Sequence, residues 1–87
     1  MTKHPKIRFT RHAREKLELM RRYGFGVDEE KIVEAIQNPT LSEQKNAQYF
    51  ITRTIDTKYA LRVVYEKRKG YLVVITFYPV RRQRYGV

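Results

Sequence analysis

Apolar and polar positions along this chain change their period once, near Pro39. Before it the spacing is helical. Ala13, Leu17 and Met20 recur at i, i+4 and i+7, with Leu19 or Tyr23 widening the stripe. A helix from Arg11 to Tyr23 follows, capped by Thr10 and ended by Gly24, which suits the left-handed position after a last turn. Phe25 is expected to pack back onto the core. Asp28 caps a second helix, with Glu29 and Glu30 placed favourably in its first turn and Ile32, Val33, Ala35 and Ile36 on its buried side. Asn38-Pro39 stops that helix, because a residue before proline avoids the α region.

After Pro39 the period becomes two. Thr40–Gln44 reads as a short strand and Lys45-Asn46-Ala47 as a turn. Gln48–Ile55 is a strand with Tyr49, Ile51 and Ile55 on one face and Phe50, Thr52 and Thr54 on the other. Arg53 lands on the apolar face, which predicts either a bulge there or an arginine reaching over the edge. Tyr59–Glu66 alternates most cleanly, with Tyr59, Leu61, Val63 and Tyr65 opposite Ala60, Arg62, Val64 and Glu66. Beyond the Lys67-Arg68-Lys69-Gly70 turn comes the near-continuous apolar run Tyr71–Tyr78, read as a central strand whose pairing stops at Pro79. Strict alternation puts Thr76 and Tyr78 on the face of Leu72 and Val74. Ile7-Arg8-Phe9 is either a short edge strand or a lead-in. The predicted fold is α+β: two N-terminal helices covering one face of a three- to four-stranded antiparallel meander.

Eighty-seven residues suit one domain with one small core. Residues 1–6 and 86–87 are expected to be loose. The absence of cysteine removes disulfide and thiolate chemistry. No run approaches membrane-spanning length, and the first residues lack an apolar segment, so a soluble, cytoplasmic protein is expected. Charge changes the picture more. Nineteen Lys and Arg against nine Asp and Glu give a net +10. Residues 1–14 and 67–87 carry no acid at all, and seven of the nine acids lie between Glu15 and Glu43. If the two basic ends meet in the fold, they make a surface for a polyanion. A thermophile-like excess of solvated charge is the plainer explanation.

A sheet covered on one side leaves the other open. Arg62, Thr76 and Tyr78 are placed there, with the tail residues Arg82 and Tyr85 folding back over them and His12 near the rim. Glu66, on the face of Arg62, is a candidate counter-charge. This set lacks paired carboxylates for glycoside chemistry, metal-ligand spacing and a Gly-rich phosphate loop. It suits metal-free cleavage of RNA. A 2′-hydroxyl loses its proton to a base, a 5′-oxygen leaves with a proton from an acid, and a guanidinium fork holds the pentacovalent phosphate. His12 is a candidate base or acid, Tyr78 or Tyr85 can donate a proton or stack on a base, and Arg62 and Arg82 supply charge. Arg11, Lys16, Arg53, Arg81 and Arg84 are the further nucleic-acid contacts expected. No metal or cofactor is expected. For each residue the bland alternative is capping, packing or solvation.

The order helix, helix, meander and basic Arg/Tyr tail resembles the RelE/ParE-type toxins of bacterial and archaeal toxin–antitoxin pairs. The pieces Thr10-Arg11-His12-Ala13-Arg14, Asn38-Pro39, Leu61-Arg62-Val63-Val64 and Val74-Ile75-Thr76 are similar to a family of uncharacterised RelE-like domains within the barnase–EndoU–colicin–RelE fold. The resemblance covers about residues 7–86. It implies an endoribonuclease acting on ribosome-bound mRNA or free RNA, monomeric or weakly dimeric when free, and inhibited by a cognate acidic antitoxin. It places His12, Arg62 and Thr76 at that family's recurrent polar positions, and Arg82 and Tyr85 at the C-terminal Arg/Tyr of RelE-type enzymes. The chain departs from the active enzymes in having no histidine near its C-terminal end and no glutamate base on the sheet other than Glu66. A non-catalytic nucleic-acid-binding module, or one that inhibits a protein target as ParE-type relatives do with gyrase, is the alternative.

Overall fold

The computed structural model describes residues 6–24 and 26–87; the expectations for residues 1–5 and for Phe25 lie outside it. The fold is α+β. Strand β1 (Lys6–Phe9) leads into helices α1 (Arg11–Arg22) and α2 (Glu29–Gln37), followed by strands β2 (Leu41–Lys45), β3 (Gln48–Thr54), β4 (Tyr59–Arg68) and β5 (Tyr71–Arg81) and a one-turn helix α3 (Arg82–Tyr85). The strands form one sheet in the order β1-β5-β4-β3-β2. β2 to β5 are the expected antiparallel meander. The sheet as a whole is mixed, because β1 joins as a fifth strand parallel to β5. Four residues with two apolar positions carried too little signal to fix that pairing. No helix among the described residues is long and apolar enough to cross a membrane.

Both helix starts follow from their caps. Thr10 accepts from the Ala13 N–H at 3.1 Å and Asp28 from the Lys31 N–H at 2.9 Å. Gly24 takes φ +75 after α1, a left-handed position that a side chain would strain. The helices bury Ala13, Met20, Ile32 and Ala35 on Ile51, Leu61, Val63, Tyr65, Leu72, Val74 and Phe77. Phe77, Ile32, Ile51, Val63 and Val74 are fully buried, each stabilising by about 1.5–3 kcal/mol. Arg53 lies on this helix-covered face with no bulge: its guanidinium meets Glu34 at 2.9 Å and the Asn38 carbonyl at 2.6 Å.

Two expectations for β5 fail together. The ladder pairs Val64 with Thr76 but Tyr65 with Val74, so Ile75 is an extra, bulged residue. The bulge reverses the alternation. Leu72, Val74 and Phe77 face the helices, while Thr76 and Tyr78 pair with Val64 and Arg62 on the open face. The bulge sits where β1 ends and α1 begins; there Thr10 donates its hydroxyl to the Ile75 carbonyl at 3.2 Å. Pairing also continues through Pro79 to Arg81. Past Val74 no strand among the described residues flanks β5 on the β1 side, so the N–H that Pro79 lacks would have pointed at an unpaired edge.

Candidate nucleic-acid interface

The open face is centred on Arg62, which alternation along β4 sends away from the helices and which is only 8% exposed. Its Nη1 donates to Thr52 Oγ1 at 3.0 Å, and its Nη2 lies 3.8 Å from Glu43 Oε2. The guanidinium also lies 5.5 Å from the Phe50 ring centre and 4.6 Å from that of Tyr85. The expected partner Glu66 is engaged elsewhere, with Arg68 at 2.6 Å and Gln48 at 3.4 Å. Thr52 follows from register. The Asp56-Thr57-Lys58 turn pairs residues equidistant from Thr57, which sets Thr52 opposite Arg62. Glu43 needed the β2 register as well, and Phe50 the reach of a long side chain along the diagonal.

Tyr78 is the cross-strand neighbour of Arg62 on the other side. Beside it, at the bare edge of β5, Lys16 reaches over from α1. Its Nζ donates to Thr76 Oγ1 at 3.3 Å and stands 5.4 Å from the Tyr78 ring centre and 5.7 Å from that of Phe77. Partial burial lowers the Lys16 pKa from its ordinary value by penalising the ammonium. His12 is exposed one turn earlier on α1, a spacing that puts it on the same stripe as Lys16. Its side chain makes no hydrogen bond or ion pair with another described residue. Arg11 is exposed and pairs with Glu15 at 3.3 Å. Lys16, Thr76, Tyr78, Arg62 and Tyr85 thus form one continuous line across the face.

Comparison with family models, with curated proteins and with solved structures finds no match.

The remaining site residues divide. Tyr85 arrives as expected, carried back over the sheet by α3. Arg82 does not join Arg62. It lies beyond the Tyr59–Arg81 pair, several positions further along the ladder. Its Nε donates to the Val87 main-chain oxygen at 2.9 Å and its Nη1 to the Asp56 carbonyl at 3.1 Å. Arg82 therefore latches α3 to the β3–β4 turn. Arg53 faces α2, on the opposite side of the sheet from Arg62. Arg81 and Arg84 are exposed and line, with Tyr59, Tyr78 and Tyr85, a shallow cleft of about 430 Å³ next to the Arg62 cage. Chemically, the face offers cations interleaved with aromatic rings, a pattern that holds phosphates while bases stack. Among the described residues no His, Cys, Asp and Glu cluster of three or more is spaced to hold a metal ion.

Proposed function

We propose that this domain is a toxin-like endoribonuclease that binds single-stranded RNA, free or ribosome-bound, on its open sheet face and cleaves it without a metal. An acidic antitoxin would hold it in check. The observation that carries the reading is the convergence of Lys16, Tyr78, Arg62 and Tyr85 from α1, β5, β4 and α3 on one face. In this reading Arg62 grips the scissile phosphate, for which Tyr85 moves aside. Lys16, whose pKa is already depressed, or His12 takes the 2′-hydroxyl proton as the 2′-oxygen–phosphorus bond forms. The phosphorus–5′-oxygen bond then breaks, with Tyr78 or the second of those groups protonating the leaving oxygen. Arg82 acts only by holding α3 and Tyr85 in place.

The test is incubation of labelled RNA with the purified protein in EDTA. The expected products carry 2′,3′-cyclic phosphates, and Arg62→Ala and Lys16→Ala each cut the rate by a factor of about 100 or more. Cleavage that persists in Arg62→Ala removes Arg62 from the mechanism. Failure of the wild type to cut either free RNA or ribosome-bound mRNA overturns the enzyme.

One observation favours a second reading, binding without turnover: the Arg62 guanidinium already has Thr52, Glu43 and two rings around it. That reading predicts RNA binding that weakens steeply with salt, and no products.

A further inference from the structure

At the other end of the open face, where β4 turns into β5, four side chains outside the Arg62 site gather. Lys6 pairs in register with Tyr71, Tyr71 with Arg68, and Arg8 with Val73. Ile7, Phe9, Leu72 and Val74 point to the helices, so Lys6, Arg8, Tyr71 and Val73 point the opposite way. The Arg8 guanidinium lies over the Tyr71 ring, 4.9 Å from its centre. Tyr71 is half-buried, and Lys6 and Arg8 are exposed. The nearby carboxylate, Glu66, is held by Arg68 at 2.6 Å and by Gln48 at 3.4 Å. Among the described residues neither Lys6 nor Arg8 forms an ion pair.

We infer that Lys6, Arg8, Arg68 and Tyr71 form a second nucleic-acid shelf, which takes the phosphate and the base of a nucleotide flanking the one held at Arg62. The inference rests on the RNA-binding reading and extends it to the length of the ligand. A cation over an aromatic ring, with a second cation beside it that has no ion pair, offers a base a stacking plane and its phosphate two donors. Six residues of β4 separate Arg62 from Arg68, about 20 Å at 3.3 Å each. The strip between them carries Val64, Val73 and Thr76, with one carboxylate, Glu66, which Arg68 holds. A strand that touches both ends is several nucleotides long, within the range of about 4–16 that one small β domain engages. A lipid headgroup could meet the same cations, but a shelf that continues an aromatic and cationic face favours a nucleic-acid strand.

Fluorescence anisotropy with labelled oligouridylates of three and eight nucleotides, non-cleavable at the 2′ position, tests this. Wild type should bind the octamer about tenfold or more tighter than the trimer, the value of one further stacked base. Arg8→Ala combined with Tyr71→Leu should bring that ratio close to one and leave trimer affinity unchanged. An unchanged ratio in the double variant overturns the shelf and leaves the Arg62 site standing. No binding of either length overturns both. Loss of binding to phosphatidylserine vesicles in the variant, with RNA binding intact, reassigns the shelf to a lipid surface and overturns the inference. Because Tyr71→Leu could disturb the sheet, Arg8→Glu alone is the second variant. It should weaken the octamer and not the trimer, and equal weakening of both counts against the shelf.

Discussion

Arg62 holds a charge in a place where charge is costly, and its surroundings show how that is tolerated: a hydroxyl donor-acceptor, a carboxylate at the rim and two ring faces. Arg62→Ala removes the packed stem and leaves the fully buried Thr52 hydroxyl without its partner. It should lower the unfolding free energy by about 2–4 kcal/mol. Arg62→Met keeps the stem and should cost less; equal urea midpoints for wild type and Arg62→Ala would contradict the cage. Asp56 gives a pH-dependent counterpart. The Tyr59 and Lys58 N–H groups donate to its carboxylate and hold its pKa below the ordinary value. A group depressed in the folded state contributes stability above its unfolded pKa, about 3.9, and loses it as pH falls through the folded value. The melting temperature of Asp56→Ala should therefore lie below wild type at pH 7, and the gap should narrow as pH drops below about 4. At this scale the sequence is legible where alternation decides, as for Arg62 between Leu61 and Val63. It was silent on Arg82, because nothing in Arg81-Arg82-Gln83-Arg84 says that one guanidinium will find the Asp56 carbonyl 26 residues away.

Elements were read well where a cap or a turn marks them. Thr10, Asp28, Gly24 and the turns at Asn46 and Gly70 all fall where turn and cap chemistry put them. The bulge at Ile75 was invisible, because an uninterrupted apolar run reads the same with one residue more or less, although that residue reverses every face after it. Thr10 ties three of these elements together: its hydroxyl caps α1 and binds the Ile75 carbonyl at the bulge, and its N–H donates to Val74 at 3.1 Å. Thr10→Ala should cost about 1 kcal/mol for the cap and speed amide exchange at the start of α1, whereas Thr10→Ser keeps the oxygen and should restore most of it. The latch on α3 is tested separately. Arg82→Ala should release α3 and carry Tyr85 off Arg62, which raises amide exchange across residues 82–87 and removes the ring-current shift on the Arg62 side chain. The fully buried core strands should exchange as before. If Tyr85 stays in place in that variant, Arg82 is not what holds it.

For the whole molecule, the sheet works as a partition between charges. The acids Glu15, Glu18, Asp28, Glu29, Glu30 and Glu34 belong to the helical layer, and Arg14, Arg21 and Arg53 pair with three of them there. On the open face the only two carboxylates among the described residues, Glu43 and Glu66, are each paired with an arginine of that face. On that face, among the described residues, Lys16 at the β5 edge, Arg84 at one end, and Lys6 and Arg8 at the other have no ion pair. A polyanion approaching this molecule therefore meets a face with no free acid, and one approaching the helices meets glutamates. If single-stranded RNA lies on the open face and neutralises three to five of the cations there, log affinity should fall with log salt at a slope of about −2 to −4. Arg84→Ala should make the slope shallower by somewhat less than one unit. Glu29→Gln with Glu30→Gln changes net charge by more, but on the side away from the ligand. Beyond a Debye length of about 8 Å at physiological salt its effect should be small. A slope that responds to the α2 glutamates as strongly as to Arg84 would mean that net charge alone draws the ligand, with no preferred face.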